Sequence, residues 1–116
     1  GAGARRPRLI AMLMSGRFAV CPESDLPEGG SLKTRAGGEL VAIFKQQDKL
    51  YALADTCSHA QSSLSEGEIS PGAVSCPLHG ARFDLDTGQA LSLPATRPVQ
   101  TFAVEVENGE IVVTIP

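Results

Sequence analysis

The 116-residue chain has no tryptophan, one tyrosine and only 4% aromatic residues. A core of stacked rings is excluded, and 12 glycines with 8 prolines point instead to many turns around an aliphatic interior. Long apolar runs are also missing. The longest, Leu9 to Met14, has six residues, far short of the roughly 20 a membrane helix needs, so no membrane partner is expected. The basic stretch Gly1–Arg8 ahead of it is not followed by the apolar core of a secretory signal. A cytoplasmic, reducing setting without disulfides is the expectation, and the three cysteines, an odd number, agree with it. Residues 1–11 read as a disordered lead-in or a remnant foreign to the domain, since Met12 or Met14 would make a natural start. Residues 12–116 read as a single domain. Positive charge is short as well. The net charge is −3, and Arg5, Arg6 and Arg8 hold three of the ten positive charges; without them seven stand against thirteen negative, a net of −6. Nucleic acid is therefore not an expected partner, whereas an acidic face suits a basic protein partner or plain solubility.

What is present alternates between short apolar runs and turn clusters at roughly ten-residue spacing, the pattern of an all-β chain. Phe18–Cys21 reads as a first strand. Ser24–Gly30 reads as a turn-rich connection with room for one helical turn. Ser31–Arg35 and Glu39–Lys45 flank Gly37-Gly38, a hairpin signal, and Gln46–Lys49 turns the chain into Leu50–Ala54. Near the end, Phe102, Val104 and Val106 alternate with polar or small residues over Thr101–Glu107. Asn108-Gly109 is the strongest hairpin turn in the sequence, and Glu110–Ile115 returns with Ile111, Val113 and Ile115 on one face.

Between these β-rich ends, about 55–94, the composition changes. Apolar runs give way to Ser, Gly and Pro, and both histidines and two of the three cysteines fall here. A segment of that length without regular structure needs something besides core packing to hold it, and its residues point to a metal. The candidate ligands are Cys57-Ser58-His59 and Cys76-Pro77-Leu78-His79, one thiolate and one imidazole in each half. Turn formers sit beside both pairs, so two short loops can face each other across one site.

Three readings compete. Chance placement is one, with surface histidines and buried cysteines of no shared purpose. A structural zinc site also uses two Cys and two His, but usually pairs like with like, Cys with Cys and His with His, which this chain does not do. A Rieske centre places two Cys on one iron and two His on the other, which the Cys-His…Cys-His order suits directly.

The motif halves Cys57-Ser58-His59 and Cys76-Pro77-Leu78-His79-Gly80 resemble those of the Rieske family. The continuation Ala81–Gly88 resembles the small Rieske ferredoxins of bacterial aromatic-ring dioxygenases, and the similarity runs from Arg17 to Pro116. The resemblance implies an antiparallel β-sandwich or barrel-like base with a small inserted cluster-binding subdomain, about 55–94. It implies one [2Fe-2S] cluster on Cys57, His59, Cys76 and His79, and one-electron transfer rather than catalysis. The implied partners are a flavin-dependent ferredoxin reductase and a terminal Rieske oxygenase, with the carrier itself a monomer. A Rieske-like small subunit of a larger reductase, such as nitrite reductase, is the alternative within the family, and a zinc module the alternative outside it.

Departures from other branches narrow the resemblance. Cytochrome bc-type members carry an extra, disulfide-forming Cys in each loop; Leu78 occupies the second-loop position here. That branch also directs Ser and Tyr hydroxyls at sulfur, where this chain has Ala81 and Phe83, so a low potential is expected. Oxygenase subunits carry Arg-Gly after the first His and Trp after the second His-Gly; here Ala60-Gln61 and Ala81 stand instead. Their mononuclear iron needs two further His and a carboxylate, and both histidines of this chain are already used. Of the rest, Cys21 reads as a small core residue and Gly80 as the residue that lets the second loop turn. Leu93-Pro94 resembles the family's third, proline-bearing loop, and Gln61 reads as an exposed rim residue beside His59. Glu66, Glu68, Asp84 and Asp86 read as a solvated acidic surface or a docking face, with Arg82 available to pair with one of them.

Overall fold

Strong period-2 patterning at both ends of the chain produces long strands, and its absence in the middle leaves short ones. The computed structural model describes residues 16–58 and 61–116. The expected lead-in, 1–11, lies outside the described residues, as do His59 and Ala60. In chain order the strands are β1 (Gly16–Pro22), β2 (Ser31–Ala36), β3 (Glu39–Gln46), β4 (Lys49–Ala54), β5 (Ile69–Ser70), β6 (Ala73–Ser75), β7 (Arg82–Asp84), β8 (Thr101–Glu107) and β9 (Glu110–Ile115). A 3-10 turn, Glu23–Asp25, supplies the helical turn expected between β1 and β2, and a second, Leu64–Glu66, precedes β5.

The base is a six-stranded antiparallel sheet in the order β1-β9-β8-β4-β3-β2. Its hairpins close where the turn residues stand. Gly37 and Gly38 join β2 to β3, and Asn108-Gly109 joins β8 to β9, all four with positive φ. That conformation is open to glycine at no steric cost and tolerable for asparagine. β3 is buried on both faces: Ala42 and Phe44 enter one core, Val41 and Ile43 the other. This explains its unbroken apolar run, Leu40 to Phe44, which a half-exposed strand would interrupt.

The second core also takes Ile111, Val113 and Ile115 from β9, the face expected from its periodicity. β8 departs from expectation. Phe102 is buried and Val104 half-buried, but Val106 is 41% exposed. The pairing of β4 with β8 covers only Ala52–Phe102 and Leu53–Thr101, so the apolar stripe of β8 outruns its cover.

Between β4 and β8 lies a separate three-stranded sheet, β5-β6-β7. The first core joins it to the base: Phe44 and Leu53 pack in the same cluster as Cys57, Leu64, Val74, Cys76, Phe83 and Leu85. Gln46 ties the two sheets by hydrogen bonds. Its amide nitrogen donates to the Ser70 carbonyl (2.8 Å), and its oxygen accepts from the Gly72 N–H (2.8 Å).

Candidate metal centre

Two cysteines far apart in sequence meet in this first core. Cys57 is 4% exposed and Cys76 1%. Neither is in a disulfide, and the Cys57 side chain hydrogen-bonds to Cys76.

The first loop leaves β4 at Asp55 and closes on itself. Cys57 N–H donates to the Ser62 carbonyl (2.9 Å), Leu64 N–H to the Asp55 carbonyl (2.7 Å), and Thr56 bridges Ser63. The second loop follows β6. Cys76 N–H donates to the Ala81 carbonyl (2.7 Å) and Gly80 N–H returns to the Cys76 carbonyl (2.9 Å). Gly80 has φ +73, a left-handed geometry that lets the chain reverse within five residues of Cys76. The reversal aims the Leu78 and His79 N–H groups at the Cys76 sulfur. His79 itself is exposed on this turn. A third segment packs over both loops. Ser58 Oγ donates to the Arg97 carbonyl (2.8 Å), and Arg82 N–H to Ser92 Oγ (2.9 Å). Within this segment Leu93-Pro94 is cis, and Ala95 is buried in the same core as the two cysteines.

The electrostatics favour thiolate. Burial pushes the Cys76 thiol up. Hydrogen bonds from Leu78 N–H, the Cys57 side chain, His79 N–H and the Ser62 side chain outweigh it, so the group ionises below the ordinary thiol range. Thiolate is the form that binds metal. Two buried sulfurs in contact, one stabilised by peptide N–H groups, fit a soft metal group with cysteine ligands. Three residues along the same turn His79 offers an imidazole, exposed at the surface, while its N–H reaches the Cys76 sulfur. Of the four expected ligands, the structure brings Cys57 and Cys76 together and puts His79 on the exposed turn that follows Cys76; among the described residues no three His, Cys, Asp or Glu side chains are grouped closely enough to hold a metal ion, and His59 lies outside the described residues.

The remaining sequence expectations divide. Cys21 is half-buried on β1 against the second core, away from the two cysteines, and its thiol is pushed up by burial, Asp25 and Glu110. Gln61, Glu66, Glu68 and Asp86 are exposed. Asp84 is occupied within its own turn, accepting N–H groups from Asp86 (2.8 Å) and Thr87 (2.9 Å). The ion pairs of the described residues join Arg17 to Glu105 and Glu107, Lys33 to Asp55, and Lys45 to Glu23; Arg82 is in none of them.

Sequence reasoning passed over Asp55, the buried acid at the root of the first loop, 1% exposed. An aspartate at the end of a predicted strand, two residues before a candidate ligand, was the available signal. Leu78 and Leu93 drew notice only for their places in the motif loops and Leu91 none; all three are exposed, at 56%, 78% and 48%.

The chain matches the Rieske [2Fe-2S] domain family over residues 16–103. It is 45% identical over 101 residues to the 3-phenylpropionate/cinnamic acid dioxygenase ferredoxin subunit of Escherichia coli K12, covering 86% of this chain and 94% of that one. Among solved structures it superposes on a ferredoxin of carbazole 1,9a-dioxygenase from Nocardioides aromaticivorans with a TM-score of 0.83 and 32% identity, covering 88% of this chain and 100% of that one. It also superposes, with a TM-score of 0.80 and 38% identity, on a chain of a complex of reduced oxygenase and oxidised ferredoxin in carbazole 1,9a-dioxygenase, covering 86% and 94%.

Proposed function

Because this chain belongs to the Rieske [2Fe-2S] family, we propose that it is the one-electron carrier of an aromatic-ring dioxygenase system, with Cys57 and Cys76 on one iron and His59 and His79 on the other. The observation that carries this is the pair of buried, mutually bonded cysteines, Cys57 and Cys76. The segment 55–94 is the cluster-binding unit. When bound, the cluster supplies a single reversible electron.

The protein's own residues do the rest. The first core excludes water from the sulfur end. The Leu78 and His79 N–H groups offset thiolate charge. Neutral imidazole leaves less charge to bury than thiolate, so the histidine end can stand at the surface, and His79 does. Leu78, one residue before His79, is exposed, as are Leu91 and Leu93 on the third segment, and such apolar surface suits brief contact with a partner. The electron comes from a flavin-dependent ferredoxin reductase and goes to the terminal oxygenase; both docking events use a carrier that is monomeric and cytoplasmic. Among the described residues, no helix is long and apolar enough to cross a membrane.

Anaerobic reduction with dithionite followed by low-temperature EPR tests this reading. The expected signal is rhombic, with an average g below that of an all-cysteine cluster. A colourless protein containing zinc and giving no signal would overturn it.

A further inference from the structure

The first cluster loop is fastened to the base by a small polar lock centred on Asp55. Its Oδ1 accepts the Ser65 N–H (3.0 Å) and its Oδ2 accepts the Ser63 hydroxyl. Lys33 on β2 lies 3.5 Å from the same Oδ2 and donates to Ser63 Oγ (3.1 Å). Two residues earlier on β2, Ser31 Oγ donates to the Ser65 carbonyl (2.8 Å). Residues 63 and 65 are thus gripped from two directions, by the carboxylate at the loop root and by an edge strand of the base. The cross-loop bond from Cys57 N–H to Ser62 sits inside this closure. Burying a carboxylate is costly unless it is hydrogen-bonded and paired, and both oxygens are so used here. Beside the lock is a cleft of about 540 Å³ whose walls include Lys33, Asp55, Ser62 and Ser63. Ser62, on the wall of this cleft, also bonds to Cys76.

We propose that Asp55 is a positioning residue that holds the first cluster loop, and with it Cys57, in the geometry that retains the metal group. This rests on the ligand reading above. The claim concerns shape, and it separates two substitutions. In Asp55→Asn the remaining oxygen still accepts the Ser65 N–H and the new amide donates to Ser63 Oγ, so the grip survives without the charge. In Asp55→Ala both contacts go.

The test measures the rate of iron release to a chelator from the purified holoprotein, the EPR spectrum of the reduced cluster, and amide hydrogen exchange at Ser65. Asp55→Ala is expected to release iron about tenfold faster or more, the loss of both hydrogen bonds to the loop. Its EPR lines should broaden, and Ser65 should exchange about tenfold faster. Asp55→Asn should stay within about twofold of the unsubstituted protein in both rates. Equal acceleration in Asn and Ala would overturn positioning in favour of charge alone. Unchanged release and exchange in Ala would overturn the proposal outright. Should Asp55→Ala not fold, Ser63→Ala removes the hydroxyl's bonds to Asp55 and Lys33 and leaves the Ser65 N–H on Asp55; it should accelerate release by a smaller factor, and no acceleration would count against the lock. The exchange measurement reads the loop whatever metal the protein carries, so failure of the cluster reading shows separately, in the spectrum of the unsubstituted protein.

Discussion

The base sheet and the segment 55–94 are held together by different physics. In the base, alternation buries Val41, Ile43, Ile111 and Val113 from strands of six to eight residues, and the cohesion is spread over many aliphatic contacts. In the segment, strands of two or three residues contribute little by themselves. Order there comes from a few positions: two buried cysteines, the Asp55 carboxylate, and glycines where backbones nearly touch. A Cβ on Gly67 would lie 1.9 Å from the Ser75 carbonyl oxygen, and one on Gly88 2.2 Å from that of Val99. Spread cohesion degrades in steps, whereas concentrated cohesion fails at single residues.

The sharpest way to break the comparison is to remove a ligand. His79→Ala should abolish the Rieske absorption and EPR spectra, because no other side chain on its turn can replace the imidazole. The base should keep its far-ultraviolet circular dichroism, since His79 is exposed and contributes nothing to either core. Retention of the native spectrum would refute the ligand assignment, and collapse of the sheet signal would refute the independence of the base.

Paired substitutions sharpen it next. Ile43→Ala leaves a cavity in the second core and should cost about 2–5 kcal/mol in chemical denaturation. Gly67→Ala should cost less globally, about 1–3 kcal/mol, yet accelerate iron release more than Ile43→Ala does. Gly67 has φ −80, so the penalty there is the approach of Ser75 and not the backbone conformation. The reverse ranking of iron release would mean the segment borrows its order from the base.

A third prediction concerns the reduction potential. Ala81 and Phe83 are fully buried beside the cysteines, and neither side chain donates a hydrogen bond. Without a hydroxyl donor at either of these two positions the reduced state is less stabilised, and the potential should sit at the low end of the Rieske range, about −150 mV. A value above about +100 mV would refute the argument. Ala81→Ser supplies a hydroxyl and should raise the potential, by about 60 mV for each tenfold gain in preference for the reduced form. Cyclic voltammetry reads both, and an unchanged value in the variant would mean the hydroxyl does not reach sulfur.

The same contrast governs what can be read from the chain. The long strands of the base were legible to within two residues because period-2 patterning and the Gly-Gly and Asn-Gly turns fix register locally. β5, β6 and β7 are too short to show any period and went unread. Spacing put Cys57 and Cys76 on two loops able to face each other, and the structure brings their side chains together. Asp55 and Gly67 were not legible, since their partners on β2 and β6 lie remote in sequence or depend on a backbone path that spacing does not reveal. Asp84 looked like part of an acidic surface, yet its carboxylate closes a turn. Val106 followed the apolar period and still faces solvent, because the neighbouring strand ends before it.

The smallest expected effect tests the base by its chemistry in acid. Gln47 and Asp48, with φ 54 and 62, hold a left-handed turn between β3 and β4 that neither residue favours. Glu28 offsets this from outside the hairpin, its carboxylate accepting the N–H groups of Gln47 (2.6 Å) and Asp48 (3.0 Å). Those hydrogen bonds, Asp48 first, hold the Glu28 carboxyl below its ordinary range. A carboxylate with a lowered folded value stabilises the native state above the unfolded value and loses that contribution as pH falls through the folded one. Glu28→Gln should therefore lower the thermal midpoint slightly at neutral pH, and the gap to the unsubstituted protein should close in acid, below the carboxylate range. Iron release at neutral pH should be the same in both proteins, since the Glu28 carboxylate bonds to the β3–β4 turn, outside the segment 55–94. A gap that persists undiminished in acid would show that the side chain acts through packing and not through its charge.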